Sequence, residues 1–216
     1  RAAAWNPVEE GVETEGLRHF LTQMPKSETA QHGRLHHYCS PHRAVLGWVI
    51  ERAGNASFAK QFSEHILAPC GGSHTGYITL DTYGAPRVSG GMCLSLYNLL
   101  LIGEMVRNRG YINKLQVVPS AWIDDITAVR DNSIWRAQHN ADGPRLFING
   151  NYRSLWYQSG IADQEICGIG IHGQWLWINP QKELVIAKLA SHDSEVDTAT
   201  DRVMLAAFWA IAEALN

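Results

Sequence analysis

The sequence predicts an α+β chain: a run of helices, then a run of antiparallel strands, then one closing helix. Three observations carry this. Before about residue 145, apolar residues recur at the three-and-four spacing of helices. From about 145 the pattern changes to alternating and short apolar runs broken by polar turns. The last twenty or so residues return to helical spacing. Segregated helices and strands of this kind pack as a helical region beside a sheet, with boundaries here at 1–145 and 146–216.

The elements follow in order. Residues 1–37 are polar and irregular, with a short helix around Leu17–Gln23. Ser40-Pro41 starts the next helix, Ser as a cap and Pro in the first turn. Val45, Leu46, Val49 and Ile50 share one face of it, and Gly54 stops it. Ser57 opens a further helix, with Phe58, Phe62 and Ile66 a turn apart and Pro69 at its end. Residues 70–93 are turn-rich. A helix from about Ser95 to Asn108 turns Leu96, Leu99, Leu100, Met105 and Val106 inward, and another runs from Pro119-Ser120 to about Val129. Ser154–Ser159, Ile169–Ile178 and Glu183–Leu189 read as strands. The short polar link Asn179-Pro180-Gln181-Lys182 makes the last two an antiparallel hairpin. Trp175 and Trp177 then share one sheet face, with Leu176 and Ile178 on the other. The closing helix, about Val196 to Leu215, covers the sheet with Val203, Leu205, Phe208, Trp209, Ala212 and Leu215.

Composition excludes several classes. In 216 residues, 45% are apolar, 18% charged and eight are Trp, which is enough to build a core. The net charge of −3 offers no basic field for a nucleic-acid backbone. No apolar run approaches the ~20 residues of a membrane helix. The four Cys stand singly, without C-x-x-C, which reads as a reduced chain rather than a zinc knuckle or disulfide framework. The chain opens with Arg1 rather than Met, so a segment upstream is expected. Nothing in the sequence decides between cytoplasm and periplasm.

Several stretches carry chemistry. His32, His36, His37 and His42 cluster, and His32 and His36 are four apart, the spacing of helical metal ligands; Gly33 breaks that helix, so the simpler reading is polar surface histidines. Ser57-Phe58-Ala59-Lys60 matches the S-x-x-K pattern of serine hydrolases, against the alternative that Ser57 caps an amphipathic helix. Tyr38-Cys39-Ser40 precedes a helix. A Tyr hydroxyl beside a positive charge can shuttle protons, and the third residue of Y-x-S can hold a lysine or substrate; the alternative is an ordinary helix entry. Gly168-Ile169-Gly170-Ile171-His172-Gly173-Gln174 weakens a strand, as happens where something approaches the backbone; its N–H groups can hold an oxyanion or an extended substrate. The structural alternative there is a bend or tight helix–sheet packing. Val88-Ser89-Gly90-Gly91 is a similar loop with one polar residue.

Taken in order, the stretches 38–54 (YCSPHRAVLGWVIERAG), 89–110 and 168–191 (GIGIHGQWLWINPQKELVIAKLAS) resemble the serine β-lactamase-like family of penicillin-recognising hydrolases, and within it the 6-aminohexanoate-dimer hydrolase and carboxylesterase branch. The resemblance implies a β-lactamase/transpeptidase-like fold whose N-terminal strands are missing here. It implies an acyl-enzyme mechanism on esters or short linear amides, with no metal and no organic cofactor. Tyr38 takes the Y-x-S role, and the Ile171 N–H that of an oxyanion donor. Ser40, Ser89, Trp156, Gly170 and His172 line the substrate cleft. Gly168-Ile169-Gly170 replaces the lactamase K-T-G, which argues against a penicillin carboxylate.

One departure is serious. The family's S-x-x-K lies upstream of Y-x-S, and nothing upstream of Tyr38 fits it; Ser27-Glu28-Thr29-Ala30 lacks the Lys. The resemblance therefore implies that a partner segment, N-terminal in the same enzyme, supplies the nucleophile. The alternatives are a binding or structural protein without catalysis, or Ser57 as the nucleophile.

Overall fold

The structure is a computed structural model. It describes residues 15–26, 31, 33–128, 130–139 and 146–215. Helix α1 (Gly16–Gln23) is followed by α2 (Ser40–Gly54), α3 (Phe58–Phe62) and one π-helical turn, Ser63–Leu67. A small ladder joins β1 (Tyr77–Ile78) to β2 (Met92–Cys93). Then come α4 (Leu96–Arg107), the short hairpin β3 (Tyr111–Ile112) and β4 (Leu115–Gln116), α5 (Ser120–Thr127) and α6 (Ser133–His139). The main sheet is β5 (Asn151–Arg153), β6 (Trp156–Gln158), β7 (Ile166–Gly170), β8 (Gln174–Asn179) and β9 (Leu184–Lys188), and α7 (Thr198–Ala214) closes the chain.

The five strands pair in sequence order, all antiparallel. Period-two alternation divides their side chains between two cores. Trp175 and Trp177 join Cys167 under α7, where Phe208 packs 5.7 Å from the Trp175 ring and 6.0 Å from that of Trp177. Leu176 and Ile178 join Ile166 under α4 and α5, with Met105, Val106, Ile123 and Ile126. Helix α4 comes close to the sheet because Gly103 has no side chain: a Cβ there would lie 2.9 Å from Leu176 Cδ1. The core cluster on this face runs from Cys70 to Ile178, so residues on both sides of position 145 share it.

The stretch Ile169–Ile178 is not one strand. It folds back through a 3₁₀ turn, Ile171–Gly173, so that Gly170 pairs with Gln174. The physical reason is two consecutive left-handed residues, His172 at φ +60 and Gly173 at φ +80. Tight hairpins need positive φ, and Gly supplies it without strain. The polar link after Asn179 does form the expected hairpin, with Asn179 opposite Leu184.

Two helices leave expected apolar residues uncovered. In α7, Leu205, Phe208 and Ala212 are buried and Trp209 packs beside them, but Val203 and Leu215 are exposed. In α2 the packed side is Arg43, Ala44 and Gly47, which leans on Val88. The apolar stripe Val45, Leu46, Val49 and Ile50 lies on the opposite side and is 41–54% exposed. A helix apolar on both sides is normally covered on both sides. Cys39 takes the cap position of α2 without a side-chain bond, Ser40 is the first helical residue, and Asn55 at φ +47 provides the left-handed stop after Gly54.

Among the described residues, no helix is long and apolar enough to cross a membrane.

Candidate functional site

Tyr38 immediately precedes Cys39, the extended cap residue of α2, and its side chain is about half exposed. One turn into α2, the buried Arg43 places its guanidinium carbon 3.8 Å from the centroid of the Tyr38 ring and donates from Nη2 to the Tyr152 hydroxyl at 2.9 Å. Tyr152 on β5 and Tyr157 on β6 pack edge to face, 4.7 Å apart. The His36 ring packs at a tilt 5.0 Å from that of Trp135 on α6 and edge-on 5.1 Å from that of Tyr152. Trp135 is fixed by donating from Nε1 to the Phe147 carbonyl at 2.7 Å. His36, Tyr38, Trp135, Phe147 and Tyr157 line a cavity of about 310 Å³, with Tyr152 packed behind them.

Ile169, Gly170, Ile171 and Gly173 also line the cavity, followed by residues from His192 into the first turn of α7. Strand β7 pairs with β6 only through Cys167 and Ile166, so Gly168–Gly170 bond to β8 alone. On the opposite face of that stretch a Cβ on Gly168 would meet no atom within 4 Å. Sequence reasoning picked out Tyr38, Gly170 and Ile171, and these three share the cavity.

The other expected positions fall elsewhere. His172 does not line the cavity: its Nδ1 is 2.7 Å from the His192 carbonyl, its N–H donates to Glu195 O at 3.0 Å, and the His192 N–H donates back to His172 O at 3.1 Å. It latches the hairpin turn to the loop 192–195. Lys188 strengthens the latch, with Nζ donating to Gly173 O at 2.7 Å. Trp156 points to the other face of the sheet, against the α4 core, because neighbouring residues on a strand alternate; Tyr157 faces the cavity instead. Ser40, in the first turn of α2, and Ser89, in the turn that follows Val88, lie outside the cavity wall.

The electrostatics of the cavity are set by burial. Burial pushes the Tyr157 phenol far above its usual range, and the Tyr152 phenol upward as well, against the opposing pull of Arg43. The carboxyl of Asp201, which accepts from Trp175 Nε1 at 3.2 Å, is also raised by burial. Asp197 is held low, first by the Thr200 hydroxyl and then by backbone N–H groups, as the cap of α7. The cavity thus offers aromatic surface, an uncovered stretch of β backbone and an acidic rim.

The remaining motifs resolve simply. Ser57 Oγ accepts from the Lys60 backbone N–H at 3.3 Å, and the Lys60 ammonium lies 3.8 Å from Glu64, so S-x-x-K here is a helix cap with an exposed ion pair. His32 lies outside the described residues, His37 and His42 are exposed, and His36 is part of the aromatic wall rather than the surface. No group of three or more metal-ligating side chains is found among the described residues. A second cavity, about 360 Å³, lies between the π-helical turn and β1–β2, lined by Phe62, Leu67, Met92 and Leu94 among others, and contains none of the residues expected to act.

No family model matches the chain. The 6-aminohexanoate-dimer hydrolase of Paenarthrobacter ureafaciens is 27% identical over 191 residues, which is 88% of this chain and 47% of that protein. A solved structure from Bacillus anthracis, provisionally named a 6-aminohexanoate-dimer hydrolase, superposes with a TM-score of 0.79 at 22% identity, covering 93% of this chain and 49% of that one. The fold is therefore β-lactamase-like, and the sequence is similar to that of a 6-aminohexanoate-dimer hydrolase. A more distant structure from Bacteroides dorei DSM 17855, provisionally named a β-lactamase, matches with a TM-score of 0.59 at 16% identity over 88% of this chain and 62% of that one. The chain spans about half the length of the curated relative it matches.

Sequence reasoning missed Arg43, Tyr152, Tyr157, Trp135 and the loop 192–201. The β5–β6 hairpin escaped it because its turn is Ser154-Leu155, both at positive φ (+47 and +73), where Asn and Gly are the usual signal.

Proposed function

We propose that this chain is the Tyr-bearing part of a serine-type hydrolase that cleaves esters or short linear amides, 6-aminohexanoate oligomers among them, through an acyl-enzyme. The observation that carries the reading is that Tyr38, Gly170 and Ile171 line one cavity. A serine and its lysine, on a segment N-terminal in the same protein, supply the nucleophile. The exposed stripe on α2 and the half-length match to the relative support such a segment.

In this mechanism the serine Oγ attacks the carbonyl carbon. Its proton passes to the lysine–Tyr38 relay and then to the leaving amine or alcohol as the C–N or C–O bond breaks. The Ile171 N–H and that of the serine hold the oxyanion, a contact whose loss typically costs ~3 kcal/mol. Water then takes the acyl group by the same relay. The aromatic wall receives the apolar part of the substrate.

The test is to incubate the complete protein with a fluorophosphonate or a p-nitrophenyl ester and map the adduct by mass. The expected adduct lies on a serine upstream of residue 1. An adduct on Ser57, or none on the complete protein, overturns the reading; the latter favours a binding protein.

A further inference from the structure

Arg43 is placed against the grain of protein stability. It is 8% exposed, yet no carboxylate pairs with it among the described residues. Its hydrogen-bond partner is a neutral phenol, Tyr152, and its buried Nη1 has no hydrogen-bond partner among the described residues. A buried cation without a counter-charge is costly, and guanidinium groups are rarely buried unpaired. Its position compounds the cost: the first turns of a helix carry the positive end of the dipole, and Arg43 is the fourth residue of α2. What the side chain does touch is the face of the Tyr38 ring, at 3.8 Å.

We propose that Arg43 is a positioning residue for Tyr38, holding the ring toward the cavity and supplying the charge that balances the phenolate when Tyr38 is between proton transfers. The proposal rests on the relay role of Tyr38 set out above. The phenolate oxygen takes the serine proton as the Oγ–C bond forms, and the phenol returns it to the leaving group as the scissile bond breaks. During that interval the guanidinium has its counter-ion. Tyr152 fixes the geometry from the other side by accepting from Nη2. Arg suits this role better than Lys because a planar guanidinium can stack on a ring and donate at its edge simultaneously.

The test is a double-mutant cycle in the complete protein, with a p-nitrophenyl ester as the probe and the thermal melt as a check on folding. Arg43→Met is expected to lower kcat about tenfold or more with KM within about twofold, the signature of a contact used in the transition state. Arg43→Lys should restore part of the loss. In a Tyr38→Phe background Arg43→Met should change kcat by less than about twofold, because two residues acting through one another are not additive. If Arg43→Met does not fold, Tyr152→Phe takes its place, and its smaller loss of kcat should likewise vanish in the Tyr38→Phe background. Unchanged kcat, a change confined to KM, or losses that multiply in the double variant would each overturn the inference. Tyr38→Phe with full turnover would sink the relay itself, a result separable from the others.

Discussion

Replacing Gly173 with Ala tests whether the turn that presents Ile171 to the cavity is held from outside. Gly173 sits at φ +80. A Cβ there would lie 2.9 Å from His192 Nε2 and closer still to Cε1 and Nδ1 of the same ring. The left-handed conformation costs an alanine ~1–2 kcal/mol. Forcing the ring aside adds overpacking of ~1–3 kcal/mol. It also pulls His192 from Lys188, 3.4 Å away, and strains the paired backbone bonds between His172 and the loop 192–195. A total near ~3 kcal/mol corresponds to a fall in melting temperature of roughly 6–12 °C for a domain of about 150–250 residues, and to a smaller fall in a longer cooperative unit. Gly168→Ala is the control, since its new Cβ meets nothing within 4 Å and a strand interior tolerates Ala better than Gly. Thermal melts of both variants of the complete protein decide the matter. If Gly173→Ala melts with the parent while Gly168→Ala falls, the latch does not hold the turn.

Two further outcomes are expected. Glu165 is 1% exposed and takes a bond from Asn179 Nδ2 at 3.1 Å, with Ser159, Trp177 and Trp209 beside it. Burial raises its pKa above the ordinary 4.5, so its stabilising contribution is complete below that value and is lost as the pH rises through the folded value. Glu165→Gln should therefore melt with the parent in acid and increasingly above it as the pH rises through that window; a constant offset at every pH would contradict this. On α2, Leu46→Gln with Val49→Ser should reduce self-association of residues 1–216 alone, measured by light scattering, because both side chains are half exposed there. In the complete protein the same pair should cost about 2–4 kcal/mol, measured by urea unfolding, as two apolar contacts to the covering segment are lost; no cost would mean that nothing covers the stripe.

How far the sequence could be read depended on where the determining contacts lie. Period two placed Trp175 and Trp177 on one face and Leu176 and Ile178 on the other, because sheet alternation is a local rule. Tyr38, Gly170 and Ile171 were legible as motifs. The fold-back at His172 was not, since one Gly among several gave no sign of which would turn, and a left-handed His is uncommon enough to be passed over. Trp156 was assigned to the cleft for want of the strand's phase, which only its pairing with β5 and β7 fixes. Arg43 was invisible for a different reason: an Arg in the first turns of a helix reads as surface, and only tertiary packing shows it buried beneath two phenols. The stripe on α2 was legible as one apolar face, but periodicity tells which residues seek cover and not what provides it.

The account turns on whether the phenol at the entrance of α2 handles the proton of a nucleophile that another segment brings to it. The steady-state kcat of Tyr38→Phe in the complete protein, with a p-nitrophenyl ester as substrate and the melting curve unchanged, measures this directly. A drop of about a hundredfold or more is what positioned acid–base chemistry requires. Turnover close to that of the parent would show that Tyr38 only lines the wall.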